Sequence, residues 1–326
     1  MTAGAAGTQR QVLVLGASGG IGGEVARQLR DAGWQVRALS RSLDAASVER
    51  DGIGWVRGDA LDRDAVLRAA RGCSVLVHAV NPPGYRNWST QVLPMLDNTI
   101  GAATREQATI VLPGTVYNFG PDAFALLHED APQRPVTRKG AIRVEMERRL
   151  QAATANRVRT IVVRAGDFFG PRAGNNWFGQ GMVKAGRPVT AISVPGRPGV
   201  GHQWAYLPDV ARTMVELLER RDALEPFARF HLGGHWDADG MQLAQAVCRV
   251  AQRHGLRPTI RQFPWWLVWA AAPFVTTMHE MLEMRYLWRE PLRMGNARLT
   301  AVLGREPLTP LDTAVETTLA GLGCLS

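Results

Sequence analysis

Short apolar runs alternate with longer stretches whose apolar positions recur every three or four residues, and this alternation organises the first half of the chain. Val12-Leu13-Val14-Leu15 puts four apolar residues in a row, the pattern of a strand buried on both faces. A glycine-rich turn follows and opens a helix running to about Ala32. Further strands are predicted at Trp34 to Ser40, Ile53 to Arg57, Ser74 to His78, Thr109 to Leu112 and Thr160 to Arg164. Helical periodicity fills the gaps at about Asp62 to Ala70, Trp88 to Glu106 (interrupted near Pro94) and Gly140 to Ala155. Residues 121–138, rich in proline and charge, read as a long loop. Strands alternating with helices predict an α/β fold with a doubly wound parallel sheet and right-handed crossovers.

Beyond Pro171 the alternation loosens. Gln203 to Tyr206 and Arg229 to Leu232 read as short strands. Helices are expected from Pro208 to about Arg220, from Asp239 to His254, through the Trp/Met-rich region 263–288, and near 297–303 and 311–321. The predicted organisation is a disordered tail over 1–10, a Rossmann-type dinucleotide-binding core over 11–171 and a smaller mixed C-terminal substrate lobe over 172–326. Segments of about 200–235 are expected to return to the core.

The turn after the first strand, Gly16-Ala17-Ser18-Gly19-Gly20-Ile21-Gly22-Gly23, carries glycines three residues apart. Glycine permits the tight turn, lets backbone approach a pyrophosphate and lets the helix pack on the strand. Free N–H groups and the helix dipole favour a phosphate there. The second strand ends in Ser40-Arg41-Ser42 with no acid, which suits the 2′-phosphate of NADP better than the free 2′-hydroxyl of NAD. NADP(H) is therefore the expected cofactor, with NAD(H) the alternative. The breaker-rich stretch Ala79-Val80-Asn81-Pro82-Pro83-Gly84 leaves the carboxyl end of a strand, where ligands sit in open α/β sheets.

Lys plus Arg (38) exceed Asp plus Glu (29), giving a net charge of +9 in 326 residues. That balance attracts anionic ligands, but the arginines are scattered and no basic run argues for nucleic acid. Three cysteines in no ligand spacing predict reduced thiols and a cytoplasmic setting. Residues 1–10 hold no apolar core for a signal peptide. Phe263 to Met278 is apolar but short and carries Pro264 and Pro273, so a buried or surface-lid helix is expected rather than a membrane span. Trp265, Trp266 and Trp269 read as core, and Met278, Met281 and Met284 as packing residues at helical spacing. His202 and His235 lack metal-like spacing partners, so no metal is expected. Asp167 could meet substrate or cap a turn.

These residues together resemble the extended short-chain dehydrogenase/reductase family, the group of sugar-nucleotide epimerases and dihydroflavonol-type reductases. Gly16, Gly19 and Gly22 resemble its nucleotide loop, Asp59 its adenine-contacting acid, and His78-Ala79 its fourth-strand ending. Asn98 resembles its helix asparagine, Val116-Tyr117 its Val-Tyr-Gly motif (with Asn118-Phe119 inserted before Gly120), and Arg164 with Phe169-Gly170-Pro171 its sixth-strand ending. Leu207-Pro208-Asp209-Val210-Ala211 and Leu303-Gly304-Arg305-Glu306-Pro307 resemble later motifs. The resemblance implies an oxidoreductase or epimerase/dehydratase acting at a carbonyl or alcohol carbon of a small molecule. It implies cofactor contacts from Gly16, Ser18, Gly19, Gly20, Ile21, Gly22, Arg41, Asp59, Ala60, Ala79, Val80, Asn81, Pro113 and Arg143. Family members often pair through sheet helices, which allows a homodimer.

The departures fall at the chemistry. The family places a Tyr and, four residues on, a Lys on one helix. Aligned on Glu147, those positions hold Lys139 and Arg143, and the family's Ser/Thr falls on Pro113 with Thr115 two residues on. Four residues apart, Lys139 and Arg143 share one helix face. Arg143 cannot lose its proton, but Lys139 could act as acid or base, because a neighbouring guanidinium and burial both disfavour its charge. The candidate catalytic set is thus Lys139, Tyr117, Thr115, Asn98 and Arg143, with Asn175, Asn176 and Trp177 on the loop expected to meet substrate. The bland alternative makes Lys139 and Arg143 a solvated face paired with Glu145 and Glu147. At the level of function the alternative is a catalytically inactive NAD(P)-binding sensor or assembly protein.

Overall fold

A computed structural model describes residues 10–82, 87–174 and 176–325. In chain order it runs β1 (Gln11–Leu15), α1 (Gly20–Asp31), β2 (Gln35–Ser40), β3 (Ser47–Arg50), β4 (Ile53–Arg57), α2 (Arg63–Ala70), β5 (Val75–His78) and α3 (Trp88–Glu106). Next come β6 (Thr109–Thr115), α4 (Arg138–Ala152), β7 (Thr160–Ala165), β8 (Asp167–Phe169), β9 (Ala191–Val194), β10 (His202–Tyr206) and α5 (Leu207–Leu218). The chain closes with β11 (Phe227–His231), β12 (His235–Asp237), α6 (Gln242–Arg253), β13 (Thr259–Gln262), α7 (Trp265–Ala271), α8 (Thr276–Glu283), α9 (Ala297–Leu303) and α10 (Leu311–Gly321).

Eight strands form the main sheet in the order β11-β7-β6-β5-β1-β2-β4-β3. Every pair in it is parallel except β3 with β4. Strand order reverses between β1 and β5, so a crevice opens at their carboxyl ends, and the turn at Gly16 and the stretch from Ala79 both lie there.

Side chains of β1 alternate between two cores, as strand geometry requires. Val12 and Val14 pack with Val25 and Leu29 of α1 and Val210, Met214 and Leu217 of α5. Leu13 and Leu15 pack with Val66 of α2, Val92 and Leu96 of α3 and Met146 and Leu150 of α4. Truncating any of these leucines to Ala costs about 2–5 kcal/mol in transfer and cavity terms. A third core joins β9 and β10 to α6 and α10 through Val194, Trp204, Val247 and Val315.

Several details depart from the sequence pattern. Helix α3 is continuous through Pro94, not interrupted. Pro94 and Thr90 both lie on the exposed face, where water can serve the carbonyl that loses its partner. The short strands β3, β8, β9, β12 and β13 carry too few residues to show a period. The segment 202–231 joins the core directly: α5 packs on the first face, and β11 is the edge strand beside β7. Trp266 and Trp269 are 69 % and 60 % exposed, against the expectation that they are core. All three cysteines are free. Burial pushes the Cys73 thiol up to about 11 and raises those of Cys248 and Cys324.

Candidate active site

The crevice has two ends, and the first is built from backbone. Gly16 sits at φ +91°, and a Cβ there would lie 2.5 Å from the Ala79 carbonyl oxygen. A side chain on Gly22 would run into the Gly16 carbonyl. The Gly19 N–H donates to the Gly16 carbonyl at 2.9 Å and closes the turn. Gly19 is the N-cap of α1 and offers no side chain, and no acid stands in the first turn. The N–H groups of Gly20, Ile21 and Gly22 therefore have no intrahelical partner and face a site of positive potential. Ser18 and Gly19 are exposed at its mouth. Ala79 and Val80 form the opposite wall, each packed against one of the two sheet cores.

A second group of candidate residues lies across β2 and β4. Arg41 and Asp59 approach to 3.8 Å, both largely exposed. Asp59 also accepts from the Leu61 N–H at 2.9 Å. The Asn98 side chain donates to the Ala60 carbonyl at 2.9 Å and so ties α3 to the end of β4. By contact, Asn98 belongs with Ala60.

The other end is built from side chains. Strand β6 pairs with β5 only as far as Val111, so Pro113 meets β7 on one side and spends no ladder donor on the other. The Thr115 hydroxyl accepts from the Tyr117 N–H at 3.1 Å. A Cβ on Gly140 would strike the Tyr117 carbonyl, so this segment lies directly on the first turn of α4. Thr137 caps that helix by accepting from the Gly140 N–H at 3.0 Å. Lys139 and Arg143 are both buried, which overturns the solvated-face alternative. Arg143 donates to the Asn81 side chain at 3.2 Å and lies over the Trp88 ring. Thr115, Tyr117, Lys139, Arg143 and Asn81 thus line one region.

Lys139 does not pair with Glu145 or Glu147. Its ammonium bonds Glu280, and Glu283 at 2.9 Å, both from α8. Glu283 also accepts from the Arg138 N–H at 2.8 Å and so caps the N-terminus of α4. Burial pushes the Glu283 carboxyl up, but the bonds and charge of Lys139 and the helix N–H groups outweigh it, and the group titrates below the usual range. Glu145 is held at about 2 by hydrogen bonds from Arg148 and Arg149. Neither glutamate of α8 was signalled by the sequence. Their i, i+3 spacing places them on one helix face, but nothing in it names a lysine 141 residues away.

Beneath this end lies a buried polar network. Arg164 is fully buried and forks onto Glu147 at 2.9 and 2.6 Å. Asn118 donates to Glu147 at 2.9 Å, Gln133 does so at 2.9 Å, and Arg164 meets His231 at 3.0 Å. Burial, then the Arg164 charge, lowers His231 to about 3. His78 is likewise lowered to about 3, by burial and then by Arg143. The Thr99 hydroxyl donates to the Met95 carbonyl at 3.1 Å, so His78 must donate to it from Nδ1 at 2.8 Å. Two imidazoles are thus held neutral behind the site.

On the loop after β8, Asn175 lies outside the described residues. Asn176 accepts from the Gly179 N–H and donates to the Gly174 carbonyl, both at 2.8 Å, so its side chain shapes the loop itself. Trp177 packs edge-on against Phe263 and Trp288. Asp167 neither caps a turn nor stands open: it bonds His202 Nε2 at 2.8 Å, and His202 stacks on Trp288. Among the described residues there is no group of three or more His, Cys, Asp or Glu able to hold a metal, and no helix long and apolar enough to cross a membrane.

Residues 12–233 match the family model described as "NAD dependent epimerase/dehydratase family". A curated (4-alkanoyl-5-oxo-2,5-dihydrofuran-3-yl)methyl phosphate reductase of Streptomyces griseus is 42 % identical over 72 residues, 22 % of this chain and 25 % of that protein, so the match spans only a quarter of that reductase. A UDP-glucose 4-epimerase from Brucella ovis, solved in complex with NAD, has a similar fold with TM-score 0.72 at 15 % identity, covering 96 % of this chain and 98 % of that one. MoeE5, solved with UDP-glucose and NAD, superposes with TM-score 0.70 at 18 % identity over 95 % and 98 %.

Proposed function

The chain belongs to the NAD-dependent epimerase/dehydratase family, and we propose that it is a nicotinamide-dependent enzyme acting at a carbonyl or alcohol carbon of a small molecule, with NADP(H) preferred over NAD(H). The observation that carries this reading is the backbone cradle. Gly16 and Gly22 leave no room for a side chain, and three N–H groups at the start of α1 face the crevice. A dinucleotide pyrophosphate fits that donor set. Gly16, Ser18, Gly19, Gly20, Ile21 and Gly22 would hold it, with Ala79, Val80 and Pro113 as walls. Arg41 would meet a 2′-phosphate, and Asp59 and Ala60 the adenine side. When bound, the nicotinamide supplies the hydride acceptor or donor.

At the reacting end, Thr115 and Tyr117 would hold the substrate oxygen. Lys139 would deliver or accept its proton, with Glu280 and Glu283 setting where its ammonium stands. Arg143, braced by Asn81, would hold ribose hydroxyls without exchanging a proton. Asn98 would act through Ala60, as a positioning residue on the adenosine side. The free thiols accord with a cytoplasmic setting.

One observation favours the second reading, a cofactor-binding sensor or assembly protein without turnover. Lys139 is already engaged by two carboxylates, and no tyrosine occupies its position. The two readings separate by experiment. Calorimetry should give binding of NADP+ tighter than of NAD+, and failure of the folded protein to bind either sinks both readings. NADPH oxidation with a panel of carbonyl compounds, lost in Lys139→Ala while dinucleotide affinity stays, supports the enzyme. Tight binding with no turnover across the panel supports the sensor.

A further inference from the structure

We infer that α7 and the turn leading into α8 form a docking surface for an anionic lipid bilayer, on which the protein lies without crossing it. Among the described residues nine large hydrophobic side chains are exposed, and five of them, Trp266, Leu267, Trp269, Phe274 and Val275, fall within this one segment. Phe274 is 87 % exposed. Contiguous apolar exposure of this kind marks an interaction site. Two exposed tryptophans suit the interface between headgroups and chains, where an apolar ring with a polar N–H is favoured. Helix α7 spans seven residues, about 10 Å of helix, far short of the ~30 Å hydrocarbon core.

Charge selects the occupant. The Trp265 indole donates to the Pro195 carbonyl at 2.8 Å, which seats the start of α7 beside the loop carrying Arg197. The Arg285 guanidinium lies over the Trp265 ring at 5.1 Å. A Cβ on Gly196 would lie 3.7 Å from the Trp288 ring, so the stretches carrying Arg197, Arg285 and Arg289 adjoin one another beside Trp265. Among the described residues none of the three makes an ion pair. Between Phe263 and Arg289 the only carboxylates are Glu280 and Glu283, and both are turned to Lys139. Exposed Glu290 follows Arg289, so three guanidiniums and one carboxylate leave the flank net cationic beside an apolar outer side, the pattern that lipid phosphates complement. A second copy fits less well, because a two-fold contact through this face would set the Arg197, Arg285 and Arg289 clusters against each other.

Co-sedimentation of the full chain with vesicles tests this. The expected result is binding to vesicles containing one third phosphatidylglycerol, at least tenfold stronger than to pure phosphatidylcholine and weakened by salt. Trp266→Glu/Phe274→Glu, both at exposed positions and checked for folding by circular dichroism, should lose binding to both vesicle types. Arg197→Glu/Arg289→Glu should lose the preference for the anionic lipid. The inference is overturned if the wild type stays in the supernatant with both vesicle types. It is equally overturned if the wild type sediments in centrifugation as a dimer that the aromatic variant splits, with no vesicle binding, since the occupant is then a second copy. A charge variant that binds like the wild type removes the anionic specificity and with it the lipid assignment.

Discussion

The two ends of the crevice reach similar precision by different means. At the glycine-built end the groups that matter are backbone N–H and C=O, fixed by glycines within one turn of chain, so geometry follows from a dozen consecutive residues. At the other end the groups are side chains from β6, α4 and α8, fixed only because distant elements pack together. The first end depends on the absence of atoms, the second on charges finding their partners. A single added methyl group therefore damages one, and a single unpaired charge damages the other.

The largest effect should come from breaking the charge logic. Arg164→Leu strands the Glu147 carboxylate in a buried site and should lower unfolding free energy by about 3–5 kcal/mol in denaturant titrations, with Arg164→Leu/Glu147→Gln recovering part of the loss. If the single variant costs less than ~1 kcal/mol, the network is hydrated and the contrast with the backbone-built end fails. Next in size, Gly22→Val should weaken dinucleotide binding at least 100-fold by calorimetry, about 2.7 kcal/mol, with the far-ultraviolet spectrum kept.

A pH series sharpens the comparison further. His78 and His231 are neutral in the folded protein down to about 3 but take up protons near 6.5 when unfolded. The unfolded state thus binds more protons as pH falls. Their contribution is complete above about pH 6.5 and is lost progressively toward pH 3, by about 2 kcal/mol each at pH 5. Glu283 adds the carboxylate counterpart: its lowered folded value means stability present above its ordinary 4.5 and lost as pH falls through the folded value. Stability measured from pH 7 to 5 should fall less steeply in His78→Gln than in the wild type, and equal slopes would sink the assignment. The smallest effect belongs to the exposed adenosine side. Arg41→Ala should cost about tenfold in NADP+ affinity and leave NAD+ unchanged, and an equal loss for both would remove the stated preference.

The same contrast governs how much could be read from the sequence. The parallel sheet and the glycine cradle were legible because their determinants are local: a run of apolar residues, then glycines at fixed spacing. The face shared by Lys139 and Arg143 was also legible, since four residues return a helix to the same side. The partners of that face were not. The alternative of pairing with Glu145 and Glu147 used proximity along the chain, whereas Glu147 is taken by Arg164 and Lys139 by α8. Asn98 shows the same limit, because only the packing of α3 on β4 reveals that its amide is spent on Ala60. Reading Trp266 and Trp269 as core applied a statistical rule at a place where the fold leaves a helix outside.

The three cysteines bring a practical consequence. Burial raises each thiol above its ordinary value, so near neutral pH little thiolate exists for an alkylating reagent to attack. A cysteine introduced at an exposed position of α7, such as Trp269→Cys, would take a maleimide fluorophore against a quiet background. Contact of α7 with a vesicle would then become a spectroscopic signal, with no native residue removed from the rest of the chain.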